Sequence, residues 1–255
     1  LAVVAAGLVV SHALLVAPAL GVVDVPAGAD RAPRLRVVTA NLYVLNPDPE
    51  RAGRALRALR PDVLVVPELS ARGLAGLTAA GLLADLPFSV TATATRDETV
   101  GLFSRLPLTD VSTRLVGGRA LPRASVDVEG TRVRLLAVHP LPPISVFEGL
   151  WRTALDDLRD EVRDLDQAAV VVGDFNADRD HARFRRLLTN GLRDAHDDRG
   201  RGLARTFPAS LPLLQLDHVL VRDGRAQLVV RDVRETDLPG SDHLAVVADL
   251  AVLAG

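Results

Sequence analysis

Residues 168–176 read Ala168-Ala169-Val170-Val171-Val172-Gly173-Asp174-Phe175-Asn176, five apolar residues in succession, then a glycine, a carboxylate and a carboxamide either side of a phenylalanine. An unbroken apolar run bounded by a turn signal is the pattern of a strand buried on both faces. It brings Asp174 and Asn176 to the mouth of that strand. Alternate residues of extended chain point to the same side, so the two side chains can face one hard cation. A second patch, Ser241-Asp242-His243, stands just before another apolar run and adds a carboxylate and a titratable ring. Asp and Asn at strand ends are also ordinary turn formers, so either patch alone has a plain structural explanation. Together they point to metal-assisted phosphate chemistry.

Outward from this stretch, strands and helices intermix. Residues 35–41 read as a strand, 50–60 as a helix with Ala52, Ala55, Leu56 and Leu59 on one face, and 62–66 as a buried strand. A glycine-rich helical stretch over 70–86 leads to strands near 88–95, 100–104, 109–116, 120–128 and 132–139. Several strands in succession imply antiparallel pairing. The longest helix is expected over 146–166, where Trp151, Leu155, Leu158, Val162 and Leu165 step by four and three. A short helix near 181–190, an irregular segment to 207, and strands at 216–221, 226–235 and 244–250 follow. The expected fold is α/β (α+β), a four-layer sandwich of two mixed, mainly antiparallel β-sheets flanked by helices.

A chain of 255 residues holds one large domain with a substantial core. Its net charge of −2 argues against a broad basic surface for long nucleic acid. Cysteine is absent, which removes disulfides, thiolate nucleophiles and Cys-based zinc sites. There is no methionine either, so the expectation is a piece of a longer product. Residues 1–23 carry no charge and are built mainly from Leu, Val, Ala and Gly, long enough as a helix to span about 30 Å of hydrocarbon. They are expected to be a transmembrane segment or its remnant, a secretory apolar core and a buried helix being the competing readings. Residues 24–34, with Pro26, Gly28 and Pro33, read as a linker, and 35–255 as the catalytic domain.

With the strands placed, six polar blocks fall at strand ends. They are Thr39-Ala40-Asn41-Leu42, Val66-Pro67-Glu68-Leu69, Val138-His139-Pro140, Gly173-Asp174-Phe175-Asn176, Leu216-Asp217-His218-Val219 and Ser241-Asp242-His243. In this order they resemble the endonuclease/exonuclease/phosphatase superfamily, which includes deoxyribonucleases, sphingomyelinases and inositol polyphosphate phosphatases. The resemblance covers roughly residues 34–250 and includes Gly101-Leu102-Phe103-Ser104-Arg105-Leu106-Pro107-Leu108 ahead of the central hairpins.

The resemblance implies a metal-dependent phosphoric ester hydrolase using Mg²⁺, with Mn²⁺ as the alternative ion. It implies Glu68 as main metal ligand, Asn41 beside it on metal or phosphate, and Asp242 completing the metal side. A lone Glu after the apolar run 63–66 also needs a charge partner if buried. Asp174 would orient or deprotonate water, and Asn176 would hold a phosphate oxygen or a second ion. His243 would act as base or stabilise developing charge, with Asp217 fixing its tautomer. His139, on a loop stiffened by Pro140, Pro142 and Pro143, would contact the phosphate and protonate the leaving group. Arg123 is a candidate phosphate contact, and His218 should point away from Asp217 into the structure. Pro67, Tyr43 and the lack of Asn after His139 depart from the repair nucleases.

Apolar spans, a linker and then this domain look similar to the family's membrane-anchored bacterial members, including those associated with glycopeptide resistance. The favoured reading is a membrane-anchored, extracytoplasmic phosphoesterase acting on a lipid phosphate or other small phosphoester, with no obligate protein partner inferable. The alternative is a secreted or surface-bound nuclease, for which Arg179, Arg183, Arg185 and Arg186 would form the patch. Aromatic residues at 3% leave little for base stacking, so nucleic acid is the less expected partner.

Overall fold

The computed structural model describes residues 21–93 and 98–255. Strand β1 (Arg34–Thr39), helix α1 (Pro49–Ala58) and strand β2 (Val63–Leu69) form the first unit, in which β1 and β2 are parallel. Asp48 caps α1 by accepting from Arg51 N, and Pro49 sits in its first turn, where a missing N–H costs nothing. After α2 (Ala71–Ala79) and α3 (Leu82–Asp85), β3 (Phe88–Thr93) and β4 (Thr99–Ser104) pair antiparallel and extend the sheet beyond β2. The chain returns to this sheet only at its end, through β11 (Ala226–Thr236) and β12 (Ala245–Ala254), giving the order β11-β12-β1-β2-β4-β3.

The second sheet is built from β5 (Leu108–Val116), β6 (Arg119–Val128), β7 (Thr131–Val138), β8 (Ala169–Asp174), β9 (Leu192–Asp194) and β10 (Asp217–Arg222). Its order is β5-β6-β7-β8-β10-β9. Here β7 and β8 are the parallel pair, joined by α4 (Glu148–Arg163), while α5 (Ala182–Leu188) and α6 (Ala195–Asp198) follow β8 and β9. Along β1 and β2, Val37, Val63 and Val65 join the large core, and Val38, Leu64 and Val66 face Ala52 and Leu56 of α1. Burial on both faces is why these runs are apolar without alternation.

The topology fixes where the ends meet. The C-terminal ends of β1, β2, β7 and β8 lie on one rim, and antiparallel β10 and β12 begin on that same rim, with Asp217 opposite Asp174 and Thr39 opposite Val246. Two sheets therefore contribute to one edge.

The two mixed, mainly antiparallel sheets flanked by helices are as expected; several boundaries differ. The stretch 70–86 is two helices, because Gly81 adopts a left-handed conformation (φ +74°) after α2. The 146–166 helix is shorter, Glu148–Arg163. Within the supposedly irregular segment lie β9 and α6, a three-residue strand and a single helical turn too short to show a period. Residues 1–20, most of the expected membrane segment, and 94–95 of the expected 88–95 strand lie outside the described residues. Among the described residues no helix is long and apolar enough to cross a membrane.

Candidate active site

Glu68 reaches the rim through an irregularity in β2. The β2–β4 register slips between Val66 and Leu69, and Glu68 itself has φ +53°, a conformation rare outside glycine. Such a bulge re-aims a side chain. Its Oε2 accepts from Val44 N and its Oε1 from Asn41 Nδ2, both at 3.0 Å. The same Asn41 Nδ2 donates to Asp174 Oδ2 at 3.0 Å, while Asn41 Oδ1 accepts from Tyr43 N. One buried carboxamide thus joins the ends of β1 and β8 to the bulge of β2.

Asp174 is the hub. Its Oδ1 accepts from Asn176 N at 2.7 Å, and its Oδ2 lies 3.8 Å from His139 Nε2 and 3.9 Å from His243 Nε2. Asn176, at φ +47°, donates through Nδ2 to Pro140 O at 3.1 Å and ties the strand end to the loop that carries His139. Gly173 has φ +149°, and a Cβ there would overlap Val138 O, so only glycine lets β8 approach β7 so closely. Burial, and next the Asp217 carboxylate, push the Asp174 carboxyl above its ordinary range.

Asp217 Oδ2 lies 2.8 Å from His243 Nδ1, leaving Nε2 directed toward Asp174. Ser241 Oγ donates to Asn41 O at 2.7 Å and accepts from His243 N at 3.0 Å, so the last loop is pinned to the end of β1. The Phe207 ring packs at 4.7 Å against the imidazole. Burial favours the neutral ring, but Asp217, followed by Asp174 and Asp242, outweighs it and pushes His243 up to about 10.

A second carboxylate–imidazole pair was not legible in the sequence. His139 Nδ1 lies 2.9 Å from Glu98 Oε1, in ion-pair contact without hydrogen-bond alignment, and Glu98 also takes the Arg119 guanidinium. Burial opposes its charge, yet His139 and Arg119 hold the Glu98 carboxyl below the usual range. Glu98 sits in the polar run Thr95-Arg96-Asp97-Glu98-Thr99, where no motif distinguishes it; its proximity to His139 comes from the pairing of distant strands.

The residues fit a divalent cation. Asp174, Asp217 and His243 offer ligand atoms within 4.8 Å of one another, with Glu68 across the Asn41 amide. Among the described residues no arginine pairs with Glu68, Asp174 or Asp217, and the buried Asp217 Oδ1 receives no hydrogen bond. Buried carboxylates crowded together without a cation are costly, and hard oxygen donors suit a hard ion. Asp217 thus faces the cluster as well as holding His243. Asp242 stands outside the tight triad; burial raises its carboxyl, and the charges of Glu68 and Asp217 add to the rise.

Arg123 corrects the expectation of a phosphate contact. It is buried at 1% exposure, and its guanidinium is engaged by Glu161 of α4 (Nε to Oε1 2.9 Å, Nη2 to Oε2 2.8 Å) and by Pro122 O and Ala137 O. It clamps α4 to the second sheet. His218 faces the other way from Asp217, as expected, with Nδ1 2.6 Å from Asp194 Oδ2.

Residues 38–243 match the profile of the Endonuclease/Exonuclease/phosphatase family. The chain belongs to this family. It is accordingly a metal-dependent phosphoester hydrolase. Similar solved structures include D. rerio TDP2 complexed with single strand DNA product, at TM-score 0.72 and 14% identity over 85% of this chain and 98% of that one. The endonuclease/exonuclease/phosphatase from Beutenbergia cavernae DSM 12333 aligns at TM-score 0.70 and 23% identity, over 88% of this chain and 72% of that one. Sphingomyelinase C from Streptomyces griseocarneus aligns at 0.61 and 18%, over 85% and 99%. No curated protein matched the chain.

Proposed function

We propose that this enzyme is a Mg²⁺-dependent phosphoesterase that hydrolyses a phosphate ester or anhydride by water attack, with a lipid phosphate or other small phosphoester near a membrane as substrate. The observation that carries the proposal is the convergence of Glu68, Asp174 and Asp217 on two imidazoles, His139 and His243, with no arginine neutralising those carboxylates among the described residues. Glu68, Asp174 and Asp217 would hold the ion, with Asn41 and Asp242 alongside. The bound cation supplies positive charge that offsets the charge developing on the phosphoryl group.

The remaining work falls to the chain's own groups. Asp174, at the hub of the cluster between the two imidazoles, orients the water and accepts its proton. Asp217 fixes the His243 ring so that Nε2 faces the reacting centre and donates to a phosphoryl oxygen. His139, whose Nε2 lies 3.8 Å from the same Asp174 Oδ2 that His243 approaches, protonates the leaving oxygen. Asn176 braces the His139 loop and presents its carboxamide to the phosphate.

The membrane placement rests on the uncharged run 1–23. A surface nuclease is the alternative reading of the same centre, but three of its four candidate arginines are occupied. Arg179 is paired with Asp197, Arg183 with Asp156, and Arg185 with the carbonyls of Arg179 and Asp180. A substrate panel with Mg²⁺ and with Mn²⁺, comparing wild type and Glu68→Ala, tests the proposal. Phosphate released from lipid phosphates or small phosphoesters by wild type and not by the variant supports it; brisk cutting of plasmid DNA with no such release overturns it.

A further inference from the structure

Six of the exposed apolar side chains lie on loops that carry or adjoin the catalytic groups, while others, such as Leu115 (69% exposed) and Val111 (51%), lie on β5. Leu45 (69% exposed) follows the Tyr43 and Val44 amides that hold Asn41 and Glu68, and Ile144 (54%) and Val146 (75%) lie on the loop after His139. Leu211 (65%), Leu213 (62%) and Leu214 (42%) belong to a turn closed by Leu213 N and Leu214 N donating to Phe207 O. That turn is fastened to the site, since Phe207 packs on His243 and Ala209 N donates to Asp242 O at 2.6 Å. Single exposed leucines are ordinary, but a set placed on loops of one rim marks an interaction surface.

The point where the N-terminal run joins the domain bears on what covers this surface. Val22 bridges Arg199, Val23 N donates to Asp198 O at 2.9 Å, and Arg199 Nη1 donates to Val23 O at 3.1 Å. The apolar run therefore enters at the head of the segment that continues through Leu203 to the leucine turn. Between residues 199 and 216 the charged side chains are all arginine (Arg199, Arg201 and Arg205), and residues 140–147 carry none. The apolar tips themselves carry no acidic side chain, although Glu148 follows the 140–147 loop and Arg201 is paired with Glu235; uncharged apolar tips beside Arg205 suit a lipid surface.

We propose that the 207–214 turn and the 140–147 loop form an interfacial docking surface that settles at the headgroup–acyl boundary of a lipid bilayer and opens the Asp174–His243 centre onto lipid headgroups. This deepens, and rests on, the phosphoesterase reading. Because the chain has no cysteine, one introduced thiol can be labelled uniquely.

The test places a polarity-sensitive dye at Leu213→Cys in the full chain, with Gln227→Cys at the opposite ends of the strands as control, and adds phosphatidylglycerol/phosphatidylcholine vesicles bearing a lipid-linked nitroxide. The expected result is a blue shift and at least threefold stronger quenching at position 213 than at 227. Equal quenching at both positions overturns the proposal. So does a dye at 213 already shielded before vesicles are added, since residues 1–20 or a second copy would then cover the turn. In parallel, Leu211→Asp/Leu213→Asp should slow hydrolysis of vesicle-borne phosphatidic acid at least tenfold and leave soluble bis(p-nitrophenyl) phosphate unaffected. A wild type that cleaves neither substrate removes the phosphoesterase reading, while the quenching result still decides docking.

Discussion

His218 Nδ1 lies 2.6 Å from Asp194 Oδ2, on the opposite side of β10 from the pair formed by Asp217 and His243. Consecutive residues of one strand thereby serve a buried structural network and the reactive rim. In the structural network Asp194 Oδ1 also meets His196 Nδ1 at 3.3 Å, and His196 Nε2 lies 2.8 Å from Glu235 Oε1.

This network makes stability depend on pH. Burial alone would lower His196, but Asp194 and Glu235 outweigh it and push the ring up to about 9. A ring raised in the folded state contributes fully below its unfolded value of about 6.5, and that contribution is lost as pH rises through the folded value. Burial alone would raise Asp194, yet His218 and His196 hold it well below the carboxylate range, so its contribution is present above about pH 4 and lost on acidification. The stability advantage of wild type over His196→Gln should shrink by roughly 3 kcal/mol between pH 6 and pH 10 in urea unfolding. An advantage of equal size at both pH values would count against this account.

Replacing Asp217 with Asn keeps the shape of the Asp217–His243 contact and removes its charge. With saturating Mg²⁺, kcat should fall about 10²- to 10⁴-fold while KM stays within a few fold. Circular dichroism should be unchanged. A loss smaller than tenfold would remove Asp217 from the role of holding the ring.

Glu98→Ala should cost more activity than Glu98→Gln, because the amide oxygen can still accept from Arg119 and fill the space beside His139, while alanine leaves both without a neighbour. The expected fall in kcat is about tenfold for Gln and about 100-fold for Ala. Steady-state kinetics on one soluble phosphodiester decides it; identical rates for both variants and wild type would make Glu98 a bystander.

Arg123→Lys breaks a fork that one ammonium cannot reproduce. Unfolding free energy should drop by roughly 3 kcal/mol, with kcat/KM of the folded protein within twofold of wild type. Unchanged stability with collapsed kcat/KM would return Arg123 to substrate binding.

The legible parts of this chain were those whose meaning is local. The run 168–172 announces a strand buried on both faces because apolar side chains have nowhere else to go, and Asp174 and Asn176 at its mouth follow from chain order. The convergence of six blocks on one rim came from resemblance, and its physical basis is the pairing of β10 and β12 antiparallel to strands that end there. Arg123 misled because burial against α4 depends on a helix 38 residues away in sequence. Glu98 escaped because its partner, His139, is brought alongside by tertiary structure, and nothing in a short polar stretch signals that.

Three residues at the rim, Tyr43, Glu68 and Asn176, hold backbone angles of φ +61°, +53° and +47° that suit glycine far better. Each such conformation costs on the order of 1–3 kcal/mol. Selection for heat resistance alone would therefore reward glycine at these very sites, yielding a hardier scaffold that has lost its chemistry. Directed evolution of this enzyme has to screen turnover and durability in the same round.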